Sequence, residues 1–148
     1  MKRLVVDASV VLKWYLPDEA YGENALSLLH RYIADDVGLI GPSLLEYEVV
    51  NGLVIARRRG RIEEGKILAA IEGFLDLGIP FVDLSTLYGT VVHYCNVYHC
   101  STYGASYLAL AEREGVMLIT ADERLFNAVK KDLAWVKWLG DSDGSAVS

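Results

Sequence analysis

The chain has 148 residues, a length that fits one domain, and 53% of them are hydrophobic, enough for a sizeable core. Its net charge of −6 argues against nonspecific binding to a nucleic-acid backbone, for which basic surfaces dominate. No apolar run reaches the roughly 18 residues of a membrane span, and the first strand begins too early for a secretory signal peptide. We therefore expect a soluble, cytoplasmic protein.

Strand-like and helix-like segments alternate along the chain, which favours an α/β fold with a parallel sheet. Five strands are predicted at residues 3–7, 38–41, 80–84, 116–120 and 134–138, the last at an edge. Helices are predicted from residue 9 to Pro17 and at 21–34, 42–59, 62–77, 87–99, 103–114 and 123–130. Residues 1–139 are expected to form a single domain, with a disordered tail at 140–148.

Acidic residues follow two of the predicted strands. The first strand stops at Asp7, and the strand at 116–120 runs through Thr120 into Asp122. Because open α/β sheets bind ligands at the carboxyl ends of their strands, the two acids indicate a shared anionic pocket for a hard divalent cation. Each acid has an alternative interpretation as a helix cap. Ser9 can cap the first helix itself, which favours Asp7 as a metal ligand.

A third acid lies in the predicted helix at 42–59. Ser43 and Glu46 fit a capping box, which gives Glu46 a structural role. Glu48 instead falls on the apolar face of the helix, beside Leu45 and Val49. A glutamate there is costly unless it is paired or binds a metal, so a buried salt bridge and a metal site are both open for Glu48.

Three carboxylates suit Mg²⁺ or Mn²⁺ with waters completing the coordination. Such an ion lowers the pKa of a bound water and stabilises charge on a phosphoryl oxygen, which favours hydrolysis of a phosphodiester. The sequence has no Walker A loop, no dinucleotide-binding glycine pattern and no Gly-x-Ser-x-Gly turn, so competing reaction classes have little support.

Four segments together resemble the PIN domain family, in the style of the VapC-type toxins of toxin–antitoxin pairs. They read VVDAS at residues 5–9, PSLLEYEVVNGL at 42–53, TYGASYLALA at 102–111 and LITADERL at 118–125. The resemblance implies a three-layer α/β/α fold with a central parallel sheet of about five strands. It also implies a Mg²⁺- or Mn²⁺-dependent endoribonuclease that acts on RNA, forms a homodimer and binds a VapB-like antitoxin.

The same resemblance assigns roles to individual residues. It implies that Asp7, Glu48 and Asp122 are the catalytic, metal-binding acids, and that Ser9 and Thr120 support them. Gly104 stands where the family's Tyr-Asp-Ala segment has an aspartate. The loss of that acid suggests an alternative function, in which a weakened site binds RNA or an antitoxin without cutting.

The only basic cluster in the sequence consists of Arg57, Arg58, Arg59 and Arg61. One interpretation is contact with the RNA backbone or a partner. The other is a solvated helix end, whose positive charge suits the helix dipole. Both remain open from the sequence.

Overall fold

The computed structural model describes residues 1–141, whose five strands form one parallel sheet in the order β3-β2-β1-β4-β5. The strands are β1 (Arg3–Val6), β2 (Gly38–Pro42), β3 (Phe81–Val82), β4 (Met117–Thr120) and β5 (Val136–Trp138). In β1, Leu4, Val5 and Val6 are all fully buried, as expected for a parallel strand covered on both faces. The predicted sheet and its edge strand are confirmed.

Seven α-helices within residues 1–141 cover the sheet. They are α1 (Ala8–Val11), α2 (Gly22–Ile33), α3 (Leu44–Arg58), α4 (Glu64–Asp76), α5 (Tyr88–Tyr98), α6 (Thr102–Glu114) and α7 (Glu123–Val129), with short 3₁₀ helices at Leu12–Trp14 and Leu139–Asp141. Helix α6 packs on β1, β2 and β4, and α5 packs on α6. Helix α3 packs against α1, α4 and β2. The predicted three-layer α/β/α architecture is confirmed.

Helix α6 is the central helix of the core. Its residues 105–111 are buried without interruption, which is possible only for a helix enclosed on all sides. Ser101 caps its start by accepting a hydrogen bond from the Gly104 N–H, and Gly115, at φ 65°, ends it in the left-handed region.

The strand order creates a switch point in the middle of the sheet. The chain runs from β1 outward to β2 and β3, then returns to form β4 on the other side of β1. The register pairs Val6 of β1 with Ile119 of β4, so the residues after both strands emerge side by side. Ligands of doubly wound sheets bind at such a point.

Several predicted boundaries differ from the structure. The helix expected from residue 9 starts at Ala8 and tightens into a 3₁₀ helix after Val11, so Ser9 lies inside the helix and is not its cap. The strand expected at 80–84 shrinks to Phe81–Val82. The capping box at the start of α3 is absent, because the Ser43 N–H donates to the Val82 carbonyl, 2.9 Å away.

The end of the described chain continues the fold past residue 139. Leu139 is fully buried, and a Cβ built on Gly140 would lie 2.4 Å from Nε1 of Trp138. Gly140 therefore belongs to the packed structure, and the 3₁₀ helix Leu139–Asp141 lies where a disordered tail from residue 140 is expected. The rest of that expected tail, residues 142–148, lies outside the described residues. Within residues 1–141, no helix is both long and apolar enough to cross a membrane.

Candidate active site

Asp7, Glu48 and Asp122 line one cavity of about 140 Å³ at the carboxyl edge of the sheet. We call it the acid cavity. Asp7 follows β1, Asp122 follows β4, and Glu48 lies in the second turn of α3. The structure thus brings together the three acids that the sequence selected, at the switch point of the sheet.

Asp7 is held by hydroxyl groups. It is 4% exposed, and its two carboxylate oxygens accept hydrogen bonds from the hydroxyls of Ser9 and Thr120. Each hydroxyl in turn accepts a backbone N–H, from Ala121 to Ser9 at 2.9 Å and from Asp122 to Thr120 at 3.0 Å. This network fixes the Asp7 carboxylate against the turn that carries Asp122.

Asp7 occupies the N-cap position of α1 in an extended conformation, but its carboxylate is engaged by the Ser9 and Thr120 hydroxyls. The pKa of Asp7 is raised to about 6 as the net of several effects. Burial raises it most, the hydrogen bonds from Ser9 and Thr120 lower it, and the negative charge of Asp122 raises it. The carboxylate therefore carries its charge near neutral pH at a cost, which a bound cation would offset.

Glu48 is half-buried and accepts a hydrogen bond from the Tyr107 hydroxyl at 2.6 Å. Burial raises the pKa of Glu48, the Tyr107 hydrogen bond lowers it, and the charge of Asp122 raises it. The salt-bridge alternative for Glu48 is wrong, because none of the ion pairs among residues 1–141 includes it. Glu46 does not line the acid cavity.

Tyr107 lines the acid cavity, although the sequence analysis does not select it as a site residue. It is 2% exposed, and burial together with the neighbouring Glu48 carboxylate raises the pKa of its hydroxyl. A buried tyrosine normally finds a partner for its hydroxyl, so its place in the apolar run of α6 was the available signal.

Asp122 has two roles in the structure. Its Oδ1 accepts the Leu125 N–H at 3.1 Å, so the capping interpretation of this residue is confirmed for α7. The Asp122 side chain is also exposed, and it lines the acid cavity. A carboxylate at a helix N-terminus is stabilised by the helix dipole.

The donor chemistry of the acid cavity fits a hard divalent cation. The side chains that line it offer three carboxylates and four hydroxyls, all of them oxygen donors. None of the ion pairs within residues 1–141 neutralises the three acids. However, the described residues contain no group of three or more His, Cys, Asp or Glu side chains placed to hold one ion. The arrangement therefore fits an ion that is bound by one or two of the acids and by waters, as is usual for Mg²⁺.

Gly104 lies in the wall of the acid cavity. Its N–H donates to Oγ of Ser101 at 3.1 Å, and its φ is not positive, so its backbone does not require glycine. A Cβ built there would meet Cδ1 of Leu125 at 3.2 Å, which a small movement of that side chain can relieve. The site thus accommodates a Cβ at the position where the resemblance leads one to expect an aspartate.

The arginine cluster lies at the far end of α3 from Glu48, about 14 Å away along the helix axis. Arg57 pairs with Glu64 at 3.0 Å, and Arg61 pairs with both Asp18 and Glu19 at 2.8 Å. The structure does not bring this cluster to the acid cavity, and two of its four side chains are engaged within the chain.

Comparisons with known proteins agree with this architecture. The PIN domain family model matches residues 4–132. The chain is 29% identical over 125 residues to Ribonuclease VapC3 from Pyrobaculum aerophilum, covering 83% of this chain and 92% of that protein. The crystal structure of PAE2754 from Pyrobaculum aerophilum shares the fold, with a TM-score of 0.65 and 21% identity over 95% of this chain and 92% of that one. The chain belongs to the PIN domain family.

Proposed function

We propose that this protein is a Mg²⁺- or Mn²⁺-dependent endoribonuclease, the toxin of a toxin–antitoxin pair. The observation that carries the proposal is the acid cavity, in which Asp7, Glu48 and Asp122 meet at the switch point of the sheet. The similarity to a relative named as a VapC ribonuclease supports the reaction class and the kind of partner.

The fold already fixes the orientation of each carboxylate that would hold the cation. Ser9 and Thr120 fix Asp7, Tyr107 fixes Glu48, and the first turn of α7 fixes Asp122. When bound, the cation would lower the pKa of a water and stabilise negative charge on the phosphoryl oxygens. Because the carboxylates must be ionised to bind a cation, we expect activity to rise with pH through the titration of Asp7 near pH 6.

The test is cleavage of a structured RNA mixture with Mg²⁺ or Mn²⁺, against an EDTA control. The chain and its Gly104→Asp variant are assayed side by side. Metal-dependent cleavage by the unmodified chain supports the proposal and shows that three acids suffice. Absence of cleavage by both proteins, under conditions where both are folded and bind the metal, would refute the nuclease.

A second candidate function follows from Gly104. The wall of the acid cavity lacks a carboxylate there, so the domain would bind RNA or an antitoxin without metal-dependent turnover. Cleavage by the Gly104→Asp variant alone would favour this candidate. Equal cleavage by both proteins would exclude it.

The proposed partners are the RNA substrate, a VapB-like antitoxin and a second copy of the chain. The acid cavity suits a cationic side chain from the antitoxin, since its three carboxylates have no paired cation within residues 1–141. Exposed apolar side chains on α4 and α5 support a homodimer through these helices: Leu68, Leu75, Val92 and Val97. Arg58 and Arg59 are exposed and remain proposed contacts for RNA. The proposed location is the cytoplasm.

A further inference from the structure

A second cavity, of about 440 Å³, lies beside the acid cavity. Ala121 and Glu123 line it, and these residues flank Asp122 in the sequence, so the two cavities share one turn of the chain. Trp138 of β5, which also lines this cavity, pairs with Thr120 of β4, the strand that leads into the turn. Adjacent strands lie about 4.8 Å apart, and the Thr120 hydroxyl contacts Asp7.

Aromatic rings form one wall of this second cavity. Trp138 lies edge-on to Tyr21, with ring centres 5.6 Å apart, and contacts Phe126 at the same distance. Tyr21 has φ 63°, a left-handed conformation that is strained for a bulky residue. Gly140 packs so closely on both Trp138 and Tyr21 that a Cβ would collide with their rings. The fold therefore holds these rings in place at an energetic cost.

Polar groups at the mouth of the cavity have unused hydrogen-bonding capacity. The Asn127 amide and the Glu123 carboxylate are exposed, and neither forms a hydrogen bond or ion pair with residues 1–141. The indole N–H of Trp138 has no acceptor in the described part of the chain, whereas the buried Trp14 donates to the Ala25 carbonyl at 2.9 Å. A planar ligand with donors and acceptors on its edge can pair with the Glu123 carboxylate and the Asn127 amide, which lie one turn apart on α7.

We propose that this second cavity binds a nucleobase of the RNA substrate, next to the phosphate that is cut. The inference rests on the proposed nuclease function for the identity of the substrate. Aromatic rings stack on bases, and an amide together with a carboxylate can read the hydrogen-bonding edge of a base. The shared turn at Asp122 places such a base beside the acid cavity. Base preference at one position of the cleavage site follows from this arrangement.

The test is a nucleotide titration followed by NMR at the indole N–H of Trp138, identified by its loss in Trp138→Phe. EDTA is present, so that no cation holds a phosphate at the acid cavity. The probes are the four nucleoside 5′-monophosphates, with ribose 5-phosphate as the control that lacks a base. N-acetyltryptophanamide represents an aromatic side chain of a protein partner. Asn127→Ala is compared with Asn96→Ala, the same change at an exposed position of α5 that does not line the cavity.

We expect at least one nucleotide to shift the Trp138 signal and ribose 5-phosphate to leave it unchanged. Asn127→Ala should weaken the binding of that nucleotide by about fivefold or more, and Asn96→Ala should not. A shift with no nucleotide, an equal shift with ribose 5-phosphate, equal affinities of the two variants, or a shift with N-acetyltryptophanamide alone would overturn the inference.

The NMR readout requires no cleavage, so the two proposals fail separately. A chain that cuts RNA but shows no nucleotide-dependent shift of Trp138 would refute the base site and leave the nuclease intact. A chain that binds a nucleotide at Trp138 but never cuts RNA would refute the nuclease and keep nucleotide binding at the second cavity.

Discussion

Replacement of Asp7 by asparagine is expected to make the metal-free protein more stable at neutral pH. The side chain is buried, and its pKa in the folded chain is about 6, against 3.8 ordinarily. Each pKa unit corresponds to about 1.4 kcal/mol, so the charged carboxylate lowers the free energy of unfolding by about 3 kcal/mol above pH 6. That figure already includes the hydrogen bonds from Ser9 and Thr120, which favour the charged form.

The sign of this effect depends on pH. Because the pKa is raised on folding, the folded chain binds the proton more tightly than the unfolded chain between about pH 4 and pH 6. The Asp7 contribution to the free energy of unfolding is therefore lost as pH rises through this range. The asparagine side chain stays neutral at every pH, so we expect Asp7→Asn to raise Tm by roughly 6–12 °C at pH 7.5 and to match the parent chain below about pH 4.

The assay is thermal unfolding in EDTA at pH 7.5 and at pH 4, followed by circular dichroism. Glu46→Gln is the control, since it also removes one carboxylate charge, but from a residue of α3 that lies outside the acid cavity. It should change Tm little at either pH. A lower Tm for Asp7→Asn at pH 7.5 would show that Asp7 supports the fold. A gap between Asp7→Asn and the parent chain that does not depend on pH would refute the assigned pKa.

The remaining predictions concern three other residues. Tyr107→Phe removes the hydrogen-bond donor to Glu48, so the pKa of Glu48 should rise. We expect kcat for RNA cleavage to fall about tenfold and the acid limb of the pH profile of kcat to move to higher pH. An unchanged pH profile would contradict this. Gly104→Asp adds a carboxylate to the acid cavity and should tighten Mg²⁺ binding about tenfold in calorimetric titration; equal affinity would show that position 104 does not face the ion. Arg61→Ala should leave RNA affinity in filter binding nearly unchanged, because the Arg61 guanidinium already pairs with two carboxylates. A large loss of RNA affinity would show instead that RNA binds at Arg61.

Local patterns are enough to predict the sheet and the shared edge that carries Asp7 and Asp122, whereas Glu48 is assigned to the site only through the family resemblance. Apolar runs that end in Asp7 and near Asp122 mark strand ends, and parallel strands deliver their ends to one edge of a sheet. Glu48 was separable from Glu46 because helical spacing puts Glu48 on the buried face of α3. These inferences need only the period of the backbone and the polarity of the side chains.

The contacts that refine the site join residues far apart in sequence, and no local pattern encodes them. The Thr120 hydroxyl reaches Asp7 across 113 residues, and Tyr107 reaches Glu48 across 59. The local sequence favours a capping box at the start of α3. In the fold, however, β2 pairs with β3, and the Ser43 N–H donates to the Val82 carbonyl. The second cavity likewise depends on the pairing of β5 with β4, which brings the Trp138 ring into contact with the Tyr21 ring.

The most direct test of the central claim compares two glutamates two residues apart on one helix. RNA cleavage in Mn²⁺ is measured for the unmodified chain, for Glu48→Gln in the acid cavity and for Glu46→Gln outside it. We expect Glu48→Gln to lower the rate at least about a hundredfold and Glu46→Gln to leave it within about twofold. Equal rates for the two variants, or a loss confined to Glu46→Gln, would show that the acid cavity is not the site of phosphodiester hydrolysis.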